Sequence, residues 1–185
     1  MNENDEQLVK DYLAGDDAAF EKLLEKYLKP VFGFLYRLTG DAVQAEDLTQ
    51  ITFVKIWKNI SKFRQDKSFK TWIFTIAKNT AFDYFKKKKV LLFSDFIDED
   101  GNNKLENIAK DEILPDEILE RKDLSEELEM KLKQIPKKYG ILLTLCYKED
   151  FSLQEIAKIL NLPYNTVKSQ HQRALSAIRK VFKKA

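Results

Sequence analysis

Apolar residues recur along most of this chain at spacings of three and four. Between Asp16 and Leu38, the residues Phe20, Leu23, Leu24, Tyr27, Leu28 and Val31 follow that rhythm and predict an amphipathic helix. Pro30 either kinks this helix or begins a new turn. Thr39-Gly40-Asp41 breaks the pattern and places Asp41 as an N-cap. The next helix carries Phe53, Ile56, Trp57 and Ile60 at i, i+3, i+4 and i+7, with Glu46, Asp47 and Gln50 on another face. "SKFRQDKS" reads as a loop. "FKTWIFTIAKNTAFDYFKKKK" reads as a further helix, rich in aromatics, whose terminal lysines suit the negative end of its dipole.

The rhythm lapses over residues 90–112, where "DEDGNN" is turn chemistry, and a linker with at most one short helix is expected there. From about Pro115, Leu124, Leu128, Leu132 and Ile135 form a new stripe that Pro136 ends, and another helix covers Lys138–Lys148. No repeats and no useful strand-like alternation occur. The predicted fold is all-α: two small helical domains, 1–90 and 115–185, joined by a flexible acidic linker over 91–114. Each is small enough that its core is marginal alone.

The stretch from Ser152 to Leu175, "SLQEIAKILNLPYNTVKSQHQRAL", predicts a helix-turn-helix. Ser152 and Glu155 make a capping-box pattern before Ile156, Ala157 and Leu160, the inward face of a short helix. Leu162 plugs the turn, and Pro163 stands where a second helix starts and its missing N–H costs nothing. Val167, Ala174 and Ile178 form the buried stripe of that second helix. Tyr164, Asn165, Thr166, Lys168, Ser169, Gln172 and Arg173 are left outward. Amides, hydroxyls and a guanidinium are the groups that read base edges in a major groove, and a lysine suits phosphate. His171, the single histidine, falls on the edge of the inward stripe and is read as a packed residue without a role.

Charge sharpens this picture. The net charge is only +2, but Lys+Arg exceed Asp+Glu by 3 over residues 1–89 (16 against 13). They fall short by 10 over 90–129 (4 against 14) and exceed by 9 over 130–185 (12 against 3). A basic C-terminal segment suits a polyanion, and an acidic middle suits staying off one. The one cysteine, Cys146, has no disulfide partner and no companion metal ligand, and reads as a small buried hydrophobe in a reducing compartment. The acidic N-terminus lacks the apolar core of a signal peptide, and no apolar run approaches the ~20 residues of a membrane span. A cytoplasmic protein without direct membrane insertion is expected.

With these elements in order, the chain resembles bacterial RNA polymerase sigma factors of the extracytoplasmic-function type over nearly its whole length. "AEDLTQITFVKIW" is similar to the family's polymerase-binding helix, Phe69–Lys89 to its promoter-melting helix, and "IPKKYGILLTL" with Phe151–Lys180 to its region four. The resemblance implies that Glu46, Asp47, Gln50 and Trp57 dock on core polymerase. It implies that Lys62, Arg64, Lys78, Asn79, Asp83, Lys86 and Lys87 handle the minus-ten element. The helix from Tyr164 to Arg173 would read the minus-thirty-five element. Core polymerase and promoter DNA are the implied partners, with an anti-sigma factor as a possible third; no cofactor, metal or catalytic residue is implied. Most of the aromatics Trp72, Phe74, Phe82, Tyr84 and Phe85 are expected in the core, with one or two against unstacked bases. The acidic linker would mimic nucleic acid in the polymerase cleft, or simply be solvated. Some positions depart from the family: Ile51 stands where an acid is usual, Gly140 and Gln170 where arginine is usual, and His171 where leucine is usual. Gln170 is accordingly expected to remove a phosphate or guanine contact.

Two other readings compete with this one. A stand-alone helix-turn-helix regulator explains residues 130–185 but leaves Ala45–Lys89 without purpose, and no dimerisation seam is visible. An enzyme is disfavoured, because Glu46 and Asp47 are helix neighbours that point apart, and there is no glycine-rich phosphate loop or metal-ligand spacing.

Overall fold

The structure, a computed structural model, describes residues 4–64, 66–87, 130–132 and 134–182. The expected linker and the stripe positions Leu124 and Leu128 lie outside the described residues. The described elements are all helical: α1 (Asp5–Leu13), α2 (Asp17–Thr39), α3 (Ala42–Asn59), α4 (Phe69–Lys87), α5 (Lys137–Leu143), α6 (Leu153–Leu160) and α7 (Tyr164–Phe182). The chain divides into two compact units.

In the first unit, α2 packs on α3 and α1, and α4 packs on α3 and α2. Asp16 caps α2 by accepting the Ala18 N–H at 3.1 Å. The helix continues through Pro30, which forfeits one backbone bond without dividing it. It stops at Gly40, whose left-handed φ of 77° lets its N–H return to the Tyr36 carbonyl at 2.7 Å. Asp41 caps α3 through the Gln44 N–H at 3.1 Å, as its position in the sequence predicts. The buried hydroxyls of Thr49 and Thr52 bond back to the Ala45 and Leu48 carbonyls, so α3 buries two threonines without leaving a donor unpaired. Helix α1 is not predicted from the sequence. It sets Leu8 and Val9 into the core that holds Leu23, Phe34, Leu35, Leu48, Ile56, Phe69 and Phe74.

In the second unit, α5 packs on α7. Leu132 and Ile135 are buried as their stripe predicts. Gly140 is buried too: a Cβ there would stand 3.4 Å from the Leu132 carbonyl oxygen, at contact distance. The predicted Lys138–Lys148 helix is real but changes character. After Leu143 it widens into a π turn over Thr144–Lys148, closed by the Glu149 N–H on the Thr144 carbonyl at 3.1 Å. The turn's Thr144 hydroxyl returns to the Gly140 carbonyl at 2.9 Å.

Candidate nucleic-acid interface

Local chemistry builds the helix-turn-helix. The Glu155 carboxylate takes the Ser152 N–H at 3.0 Å, and the Ser152 hydroxyl takes the Glu155 N–H at 3.3 Å, so the capping box closes in both directions. Ile156, Ala157, Ile159 and Leu160 of α6 are buried, each large aliphatic contributing roughly 1.5–3 kcal/mol. Asn161 turns the chain at φ 56°, a conformation asparagine tolerates. Its successor Leu162 donates its N–H to the Ala157 carbonyl at 3.0 Å, though its side chain is half-buried rather than a full plug. The Pro163 carbonyl accepts the Val167 N–H at 3.1 Å, and α7 begins at the next residue.

Val167, Ala174 and Ile178 face inward, as their spacing predicts, together with Leu175. Gln170 joins them at 2% exposure, which corrects the expectation that it leaves a gap in the DNA contacts. Position 170 lies three residues after Val167 and four before Ala174, inside the stripe rather than on the outer face. Outside, Asn165, Lys168 and Gln172 are exposed at i, i+3 and i+7, flanked by Tyr164 at 45% exposure. Thr166, Ser169 and Arg173 sit half-buried at the edge of this face. The Ser169 hydroxyl donates to the Thr166 carbonyl at 3.0 Å, so it meets a partner chiefly as an acceptor.

His171 packs against the π turn. Its Nε2 lies 3.2 Å from the Tyr147 hydroxyl and 3.9 Å from Cys146 Sγ, with the Tyr147 and His171 rings stacked at 5.8 Å. Burial holds the imidazole below its ordinary 6.5 and pushes the Cys146 thiol and the Tyr147 phenol up. The thiol is half-buried, and that burial favours its protonated form. Because the folded state disfavours protonated His171, its contribution to stability is whole above pH 6.5 and is lost as pH falls through the lowered folded value. Hydrogen exchange of the Val167 and Ala174 amides in the full chain should accelerate below pH 6.5, after correction for intrinsic rates, and His171→Leu should flatten that acid limb. An acid limb identical in the variant would assign the effect to other groups.

The first unit presents two further surfaces. On α3, Glu46, Asp47 and Gln50 are exposed, and so is Trp57 at 54%. This removes Trp57 from the inward stripe expected of Phe53, Ile56, Trp57 and Ile60, of which Ile56 and Ile60 are buried and Phe53 half-buried. Val43, Ile51 and Val54 are exposed as well, Val43 at 70%; of these, only Ile51 is expected on the polymerase-facing side from the resemblance. At 100° per residue, Val43, Asp47, Gln50, Val54 and Trp57 share one side of the helix, an acidic and apolar strip.

The other surface runs from the end of α3 to α4. Lys62, Arg64, Asn79, Asp83 and Lys86 are exposed, and Lys87 ends α4. The Arg64 guanidinium grips Asp66 through Nε at 3.1 Å and Nη2 at 2.9 Å, and this bond holds the Asp66 carboxyl below its usual range. Asp83 lies 3.5 Å from Lys55 Nζ. Lys78 departs from expectation: it is only 6% exposed. Its Nζ sits 4.5 Å above the Phe82 ring and 3.0 Å from Asn79 Oδ1, and burial lowers its pKa. It is therefore not one of the open cations on α4. Phe69, Phe74 and Phe85 are core, whereas Trp72, Phe82 and Tyr84 are half-buried and keep an edge toward solvent. No described helix is long and apolar enough to cross a membrane.

Comparison with known proteins agrees with this division. The Sigma-70 region 2 model matches residues 23–90 and the Sigma-70 region 4 model matches residues 125–178. The chain is 32% identical over 174 residues to the ECF RNA polymerase sigma factor SigW of Bacillus subtilis, covering 93% of each chain. It is 32% identical over 184 residues to the RNA polymerase sigma-H factor of Pseudomonas aeruginosa, covering 96% of this chain and 93% of that one. Among solved structures, the sigma factor RpoE in complex with the anti-sigma factor NepR from Bartonella quintana shares the fold at a TM-score of 0.62 and 24% identity, over 89% of this chain and 96% of that one. CnrH in complex with the cytosolic domain of CnrY does so at 0.62 and 19%, over 97% of both. The chain belongs to the ECF family of RNA polymerase sigma factors.

Proposed function

We propose that this sigma factor divides promoter-specific initiation between its two units, with the residues named above as the working surfaces. The acidic and apolar strip of α3 (Glu46, Asp47, Gln50, Trp57, extended by Val43 and Val54) docks on core polymerase. Lys62, Arg64, Asn79, Asp83, Lys86 and Lys87 take the minus-ten element. The outer face of α7 reads the minus-thirty-five element through Tyr164, Asn165, Thr166, Lys168, Ser169, Gln172 and Arg173. Lys78 supports α4 from within, through Phe82 and Asn79. The observation that carries the reading is the occurrence, in one chain, of a closed capping-box helix-turn-helix with an exposed polar face and, on α3 of the first unit, an exposed acidic and apolar strip. A stand-alone regulator has no use for that strip.

The protein so read has no catalytic role and works in the cytoplasm, where polymerase and promoters are. An anti-sigma factor is a further proposed partner, since two proteins of the same fold are seen in complex with one or with a cytosolic domain. Run-off transcription with core enzyme on a library of promoter fragments tests the whole reading. Defined start sites support it. Failure to start at any fragment, with separate elution of chain and core on gel filtration, favours the regulator.

Single substitutions on α7 separate base reading from phosphate contact. Gln172→Ala removes an exposed amide that can pair bidentately with adenine, and should cost about 1–3 kcal/mol of discrimination at one upstream base pair. Lys168→Ala should instead weaken all sequences alike and reduce the salt slope by about one. Arg173→Ala is expected to lower selectivity. Equal losses on every sequence would make Arg173 a phosphate contact.

A further inference from the structure

Helix α4 begins with a bond that its own neighbourhood does not supply. Ser68 serves two groups of the first turn: its hydroxyl accepts the Thr71 N–H at 3.2 Å and its carbonyl the Trp72 N–H at 3.1 Å. The Phe69 N–H goes elsewhere. It donates to Glu6 Oε1 at 3.3 Å, across a sequence separation of 63 residues. Glu6 stands in the first turn of α1, beside Asp5, which takes the Tyr27 hydroxyl and, at 2.5 Å, the Lys26 ammonium. Two consecutive carboxylates of α1 therefore hold α2 and the start of α4 together.

The position they hold is the root of the loop that carries Arg64, with Lys62 at the end of the 3-10 turn Ile60–Lys62 just ahead of it. Phe69 is fully buried and Phe63 nearly so, with their rings edge-on at 5.1 Å; Trp72 stands 5.3 Å from Phe63, and Tyr27 stands 6.1 Å from Phe69. Both ends of the loop are thus anchored in one aromatic cluster, while Arg64, Asp66, Lys67 and Ser68 between them are exposed. A carboxylate is suited to this task, because a negative charge at a helix N-terminus faces the positive end of its dipole. Helix α1 also lies ahead of residues 23–90, the part matched by the region 2 model.

We infer that Glu6 is a positioning residue for promoter opening: it fixes the first turn of α4, and through it the segment that presents Lys62 and Arg64 to the displaced strand. The inference rests on the assignment of that segment to the minus-ten element. Loss of a charge-assisted hydrogen bond corresponds to roughly a tenfold effect. Glu6 is half-buried against the start of α4 and is not one of the residues assigned to DNA or polymerase, so the deficit should fall on opening alone.

Full-length variants combined with core enzyme test it, with 2-aminopurine in the minus-ten element reporting the opening rate. Glu6→Ala should open about tenfold more slowly. Its affinity for core and its binding to upstream duplex should each stay within about twofold, well under the tenfold that one lost charge-assisted bond is worth. Glu6→Gln, which keeps an acceptor for the Phe69 N–H, should recover most of the rate. Wild-type opening by Glu6→Ala, loss of core affinity in step with opening, or failure of Gln to rescue would each overturn the inference. The double variant Lys62→Ala/Arg64→Ala separates the two levels. If it opens promoters normally, the assignment of that segment fails and the inference with it. If it is defective while Glu6→Ala is not, only the inference fails.

Discussion

Phe69→Ala is expected to destabilise the first unit by about 3–5 kcal/mol, the cost of emptying a fully buried aromatic site. Against a typical domain stability of about 5–15 kcal/mol, that is a large share of the whole. Three facts place the variant at the upper end. The ring packs within 5.1–6.1 Å of Phe63, Trp72 and Tyr27, so no single neighbour can refill the space. Ring contacts of this kind add about 0.5–1.5 kcal/mol beyond area. The residue also opens α4, so its loss loosens the turn that Ser68 and Glu6 cap. Both tryptophans, Trp57 and Trp72, lie in this unit, so intrinsic tryptophan fluorescence reports its unfolding selectively. The thermal midpoint should drop by ~12 °C or more, and binding to core should fail at temperatures where the parent is active. Exchange of the α7 amides in the same molecule should not change, because their core is built from Ile156, Val167, Ala174 and Ile178. An unshifted fluorescence transition would remove this cluster from its central place.

What could be read in advance was whatever the chain settles locally. The Ser152–Glu155 box and the Asp41 cap are agreements between residues three apart, and both form as their spacing predicts. The helices themselves follow from the same short-range rhythm. Features that depend on a distant neighbour stayed hidden. Lys78 looks like any exposed helix lysine until α4 packs on both α2 and α3. Helix α1 does carry the rhythm, with Leu8, Val9, Tyr12 and Leu13 at i, i+1, i+4 and i+5, but it is short; Leu8, Val9 and two carboxylates tie it to α2 and α4. The π turn at Thr144–Lys148 has no sequence signal of its own; it exists where His171 of α7 meets Tyr147. Gln170 is a different case. The stripe Val167–Ala174 predicted its burial by spacing, and the resemblance to an arginine-bearing family overrode that signal. Trp57 shows the reverse: its spacing with Ile56 and Ile60 alone points inward, the resemblance points outward, and the side chain is exposed.

Trp57 also bears the largest expected effect on function. Large exposed aromatics in docking surfaces commonly cost 2 kcal/mol or more on truncation, so Trp57→Ala should weaken core binding by roughly 30-fold or more. Its neighbours set the pattern around that figure. Val54, one turn before it, offers less area and should cost less. Glu46→Lys and Asp47→Lys should act mainly on the association rate, with a weaker salt dependence, because exposed charges at a rim steer encounter more than they hold a complex. Since Trp57 is 54% exposed, the thermal midpoint of Trp57→Ala should match the parent when followed by Trp72 fluorescence. That separates it from Phe69→Ala, which loses core binding by unfolding. Titration of labelled core at two salt concentrations reads both affinity and steering. Parent-like affinity for Trp57→Ala would take the α3 strip out of the polymerase interface. The strip would then be a face awaiting some other protein, with Val43, its most exposed apolar residue, as the first to examine.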